Sequence, residues 1–210
     1  MNINELKKKN YFRFLQLSSL KLENKDEIAL IFLLESELFK IFYSTEEIIL
    51  RKIRYQWLKD EFNNKNTKFK LLIELVQLDK KYDIKDDFNK ILSLFQIIDN
   101  KIHFLEDCVN FFESLNFLFR KLIGKVALIS DFSNKTSFLF QLSYFFYLNR
   151  TNNLYSHDIF FKLYTKKLKK DYDLFEKIFI ESYINNLKSG QKKIKKLNFI
   201  FNLILGMVSK

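Results

Sequence analysis

The sequence predicts an all-α protein folded as one helical bundle, and three observations carry that prediction. The 210 residues include no Pro and only 3 Gly, so the residues that shape tight hairpins and interrupt helices are almost missing. Hydrophobic residues make up 48% of the chain and 25 residues are Phe, which supplies a core and excludes a disordered tail. No Pro-rich, Gly-rich or Ser-rich stretch divides the sequence, so residues 1–210 read as a single domain. Part of the composition carries no structural meaning, because Lys, Asn, Ile and Phe are the residues that an AT-rich codon supply would enrich together.

The elements follow in order. Ile28, Ile31, Phe32, Leu34, Glu35 and the run from Leu38 to Phe42 read as a richly apolar helix. Ser44-Thr45-Glu46-Glu47 then has the spacing of a capping box, in which Ser44 accepts from an amide near Glu47 while Glu47 reaches back. A second helix should therefore start near residue 45. Its apolar stripe is Ile48, Ile49, Ile53, Trp57 and Phe62, and it frays in the Asn-rich segment 63–66. A third helix is expected over 68–79, a fourth over 86–99 with Asp86 as N-cap, and a long fifth over 104–129. Asp131 or Ser133 would cap a sixth helix running to Leu148, followed by a polar loop at 149–153. Two or three more helices fit into 157–208, with a break near Ser189-Gly190.

Several kinds of chemistry are excluded by the residues available. Cys108 is the only Cys, so it forms no intrachain disulfide and belongs in a reducing compartment. His103 and His157 lie far apart and no His-x-x-x-His or Cys-x-x-Cys spacing occurs, which argues against a transition-metal site. Gly124, Gly190 and Gly206 are too scattered to build a phosphate-cradling loop. The N-terminus has Lys residues but no apolar stretch or cleavage site after them, and no apolar run reaches the roughly 18 residues of a spanning helix. These features predict a cytoplasmic protein, at most peripheral to the inner membrane.

Carboxylates are the remaining source of chemistry. Helical enzymes that act on diphosphates hold magnesium with acidic residues that face one cavity from two helices. Glu35 and Glu37 look like such a pair, but at about 100° per residue they point about 200° apart. Asp79, Asp83, Asp86 and Asp87 have helical spacings, yet they fall among Lys80, Lys81 and Lys85 where one helix ends and the next begins. Capping and surface charge explain that cluster.

The segment Lys52 to Phe62, KIRYQWLKDEF, holds the only Trp of the chain. It resembles a helix of the squalene/phytoene synthase superfamily, in the non-catalytic branch associated with mitochondrial complex I assembly, whose pattern is E-I-R-L-Q-W-W-R-D. Ile53, Arg54, Gln56, Trp57 and Asp60 match, Lys59 replaces an Arg and Leu58 replaces the second Trp. Upstream, Ser36-Glu37-Leu38 through Ile41 occupies the A-E-L-x-x-I position, and downstream Asn153-Leu154-Tyr155-Ser156 to Ile159 is similar to the R-x-Y-L-P segment, with the Pro lost. The resemblance spans roughly residues 8–208 in element order and is close only over 35–60. It implies an isoprenoid-synthase-type bundle, with Arg54, Gln56, Trp57, Asp60 and Tyr155 as cavity or family-motif residues.

Active members of that superfamily carry two aspartate-rich motifs. The position of the first holds only Glu35 and Glu37 here, and the position of the second reads Phe145-Phe146-Tyr147-Leu148-Asn149-Arg150. The resemblance therefore implies a pseudoenzyme without catalytic or metal residues, an assembly or binding factor for respiratory-complex subunits at a membrane surface, with room for a lipid ligand. The alternatives are a magnesium-dependent prenyl transferase and a basic nucleic-acid binder. The membrane-surface and nucleic-acid readings start from charge: 36 basic against 25 acidic residues give +11, and from residue 161 onward 12 Lys stand against 4 acidic residues. Lys166, Lys167, Lys169, Lys170, Lys192, Lys193, Lys195 and Lys196 form the basic surface expected there, suited to anionic lipid more than to nucleic acid.

Overall fold

A computed structural model describes residues 2–64, 67–97, 105–129, 138–149, 174–189, 194, 198–200 and 202–203. Among these residues the chain is helical and contains no strand. The described helices are α1 (Asn2–Lys9), α2 (Tyr11–Ser19), α3 (Lys25–Ser44), α4 (Ile48–Asn64), α5 (Lys70–Tyr82), α6 (Lys85–Ile97), α7 (Leu105–Ala127), α8 (Phe138–Asn149) and α9 (Leu174–Lys188). The all-α expectation holds.

Helix α3 is the axis of the bundle. Every residue from Ile28 to Glu35 is buried, so the helix is apolar around its whole circumference, as a helix enclosed by neighbours must be. The helices that enclose it include α1, α2, α5 and α7, with α4 and α8 completing the wall. The Phe residues fill the spaces between. Phe39 on α3 meets Phe95, Phe112 and Phe145 from three other helices, and Phe12 on α2 meets Tyr147, Phe179 and Phe199 edge to face.

The first two helices carry no strong sequence signal, and Asn10 separates them. Its side-chain oxygen accepts from the Arg13 amide at 3.1 Å as an N-cap, and its amide group donates to Ser36 Oγ at 2.7 Å. That second bond fixes the start of α2 on the middle of α3.

Several local expectations need correction. Ser44 ends α3 and is exposed, so it caps nothing, and α4 begins at Ile48. Thr45 instead is buried in the tight connection and accepts from Arg54 Nη1. Asp86 is not the cap of α6; Asp79 takes that role from the preceding turn, its Oδ1 accepting from the Lys85 amide at 2.8 Å. Asp83 makes the reversal between them at φ 50, ψ 62, a left-handed conformation that Asp tolerates better than most residues.

The stripe of α4 is also reversed. Ile53 and Trp57 are exposed, and the buried face is Arg51, Tyr55, Leu58 and Phe62, spaced i, i+4, i+7 and i+11. Both sides of this helix carry apolar residues, and ring packing decides between them. Phe62 stacks on Phe88 at 4.1 Å and Tyr55 meets Phe95 at 5.2 Å, while the Arg51 guanidinium lies over the Phe42 ring. The Tyr55 hydroxyl donates to the Leu38 carbonyl at 3.1 Å, which lets a phenol be buried, and burial raises its pKa far above the ordinary value.

The predicted third to fifth helices appear within a few residues of their expected bounds. The expected caps at Asp131 and Ser133 and the loop from 150 onward lie outside the described residues. A helix does end at Ser189 as expected.

Candidate functional site

The most unusual group of side chains is buried where α2, α3, α8 and α9 meet. Arg13 and Glu35 form a two-pronged ion pair: Nε donates to Oε2 at 2.6 Å and Nη2 to Oε1. The remaining guanidinium nitrogen Nη1 donates to Gln16 Oε1. Gln141 Nε2 donates to Glu35 Oε1 at 2.7 Å, and Gln16 Nε2 donates to Glu176 Oε1 at 3.3 Å. All five side chains are buried.

The fold explains how so much polarity survives there. Helix α2 presents Phe12, Arg13, Gln16 and Leu17 to the core, so one face brings in both an aromatic anchor and the charged fork. The flat guanidinium lies 4.7 Å from the Phe32 ring and 4.5 Å from the Phe140 ring, contacts that stabilise a cation with little water around it. Tyr144 lies close by. Burial raises the pKa of its hydroxyl well above the ordinary value, and the Glu35 carboxylate raises it further, so the phenol stays neutral.

This arrangement decides what Glu35 and Glu37 can do. Both oxygens of Glu35 accept from Arg13, and Glu37 lies on the outside of α3 with its carboxylate 3.9 Å from Lys40. The two acids do not face one another, and the guanidinium takes the place a divalent cation would need beside Glu35. The pair does not fit magnesium. Among the described residues, no three His, Cys, Asp or Glu side chains come together as a metal site.

A third buried carboxylate belongs to a separate cluster between α6 and α7. Asp87, in the first turn of α6, has Lys121 Nζ 2.8 Å from Oδ1 and Lys125 Nζ 2.8 Å from Oδ2. Burial pushes its pKa up, but the hydrogen bonds and charges of the two Lys outweigh burial and hold it below the usual carboxylate range. It therefore clamps α6 to α7. The expectation of mere surface charge at this position is corrected by its burial.

The residues of the family-like helix are placed on the outer surface of α4 and do not line an interior space. Arg54 bonds back to Thr45, Gln56 donates to Asp60 at 2.8 Å and accepts from Gln96 at 2.7 Å, and Trp57 leans on Phe69. Tyr155, the eight Lys of the basic surface, His103 and His157 lie outside the described residues, as does the side chain of Cys108. Sequence reasoning missed Arg13, Gln16 and Glu176. Gln141 was missed as well, although a Gln inside the apolar run from Phe138 to Leu148 was an available signal.

Comparison with protein families, curated proteins and solved structures finds no match to this chain. Among the described residues, no helix is long and apolar enough to cross a membrane.

Proposed function

We propose that this protein is a catalytically silent member of the squalene/phytoene synthase superfamily, an isoprenoid-synthase-type bundle retained as a binding or assembly scaffold at a membrane surface. The resemblance of residues 35–60 gives the lineage and makes respiratory complex I assembly the implied role. The observation that carries the silence is the Arg13–Glu35 pair, because the one carboxylate that points inward from the first-motif position is already neutralised by an internal cation. Departure of a diphosphate needs divalent cations held by several carboxylate oxygens, and this interior offers them an Arg. The excess of 36 basic over 25 acidic residues favours an anionic surface as the place of work.

The competing reading is an active magnesium-dependent prenyl transferase. Incubation of the purified protein with prenyl diphosphates and magnesium separates the two. No product is expected; turnover that Glu37→Gln abolishes would overturn the proposal.

A further inference from the structure

Six of the eight large apolar side chains exposed among the described residues lie on one outer face. Ile49, Leu50, Ile53 and Trp57 follow one another along α4. Ile73 stands one turn beyond Phe69, the α5 residue against which Trp57 leans. Helices α4 and α6 pair antiparallel, Phe62 with Phe88, Gln56 with Gln96 and Tyr55 with Phe95, which brings Ile97 level with Ile53. The result is an apolar stripe along α4, extended by Ile73 on α5, with Ile97 on α6 beyond the Gln56–Gln96 bridge.

We infer that this outer face of α4 is a docking surface for an anionic phospholipid bilayer, an inference that rests on the reading above of a protein working at a membrane surface. Three features select that occupant. First, the side chains stand proud of the surface: Ile49 is 72% exposed, Ile53 57% and Ile97 76%. A bilayer accepts projecting side chains without a matching shape, whereas tight protein partners meet in close-fitting pockets. Second, Lys52 and Arg54 stand on either side of the stripe at Ile53, Arg54 with one guanidinium nitrogen held by Thr45, so basic side chains border the apolar residues with their stems along them. Third, the charge order works against a second copy of this chain. Glu46, Glu47, Asp60 and Glu61 stand at the two ends of the segment with the cations between them. Antiparallel pairing about Ile53 would set Glu46 against the partner's Asp60 and Lys52 against the partner's Arg54, with only Glu47 and the partner's Lys59 opposite in sign. The same end carboxylates limit insertion to the turns from Ile49 to Trp57, with Trp57 at the edge, where an indole is favoured between water and lipid.

The chain reports on this face itself, because Trp57 is its only Trp. The test mixes full-length protein with vesicles of phosphatidylglycerol and phosphatidylcholine, and measures co-sedimentation together with Trp fluorescence and its quenching by brominated acyl chains. Binding with a blue-shifted, quenched Trp57 is expected, and the exposed double variant Ile49→Ser/Ile53→Ser should weaken partitioning about tenfold or more with an unchanged melting temperature. Binding that leaves Trp57 emission unchanged, or that the double variant retains in full, overturns this face and leaves the membrane reading standing. No sedimentation with any vesicle overturns both. A concentration-dependent dimer in sedimentation velocity, dissociated by the same double variant, also overturns it, in favour of self-association.

Discussion

Removing the cation from the buried pair gives the sharpest test of the site. In Arg13→Met the Glu35 carboxylate would keep only the Gln141 amide as a hydrogen-bond donor, deep among Phe32, Phe140 and Tyr144. Breaking a buried ion pair on one side costs about 3–5 kcal/mol. For a chain of this size each kcal/mol moves the melting temperature by about 2–4 °C, so the loss should fall at about 6–20 °C. Replacing both members, as Arg13→Met with Glu35→Met, removes the stranded charge and should restore much of the loss, giving a double-mutant coupling of several kcal/mol. Thermal and urea unfolding followed by far-ultraviolet circular dichroism measure all four corners of the cycle. A single-variant cost below about 1 kcal/mol would refute the reasoning, since that is what an exposed pair is worth. Titrating magnesium into the wild type adds an independent check: a site that binds the ion raises the melting temperature by mass action, and no rise is expected here.

Two further predictions concern single positions. Because the folded pKa of Asp87 is depressed, its contribution to stability is present above the ordinary carboxylate range and is lost as pH falls through the folded value. Asp87→Asn should therefore lower stability at neutral pH and flatten the acid limb of a stability-against-pH curve below about pH 4; an acid limb identical to wild type counts against the clamp. Leu128, which follows α7, holds φ at 57 with its side chain exposed, so Leu128→Gly should raise stability by about 1 kcal/mol in urea unfolding, and a loss of stability would show that its side chain matters more than its backbone.

The fold was legible where the local signal and the packing agree. The uninterrupted apolar run of α3 is buried on all sides, and the helices from α5 to α7 were readable to within a few residues. Legibility ended where two faces compete. On α4 the choice between Ile53 and Tyr55 depends on Phe88 and Phe95 of α6, and no feature within α4 records them. Caps failed for a related reason: a cap is a race among nearby oxygens, and Asp79 reaches the Lys85 amide from the previous turn ahead of the Asp at the expected position. Of the site, Glu35 was visible only as an acid that could not share a face with Glu37. Its partner was not, since a lone Arg between Phe12 and Phe14 reads as a surface residue until the fold places Glu35 beside it.

The order of these partners along the chain sets a timetable for synthesis. Arg13 and Glu35 are 22 residues apart, whereas Gln141 follows Glu35 by 106 residues and Glu176 follows Gln16 by 160. At translation rates of about 5–20 residues per second, roughly 5–20 s separate the emergence of the ion pair from that of the helix that covers it. During that interval the nascent chain holds the buried axis of its bundle with one side open to whatever chaperone stands at the ribosome exit. The finished bundle seals its charges last.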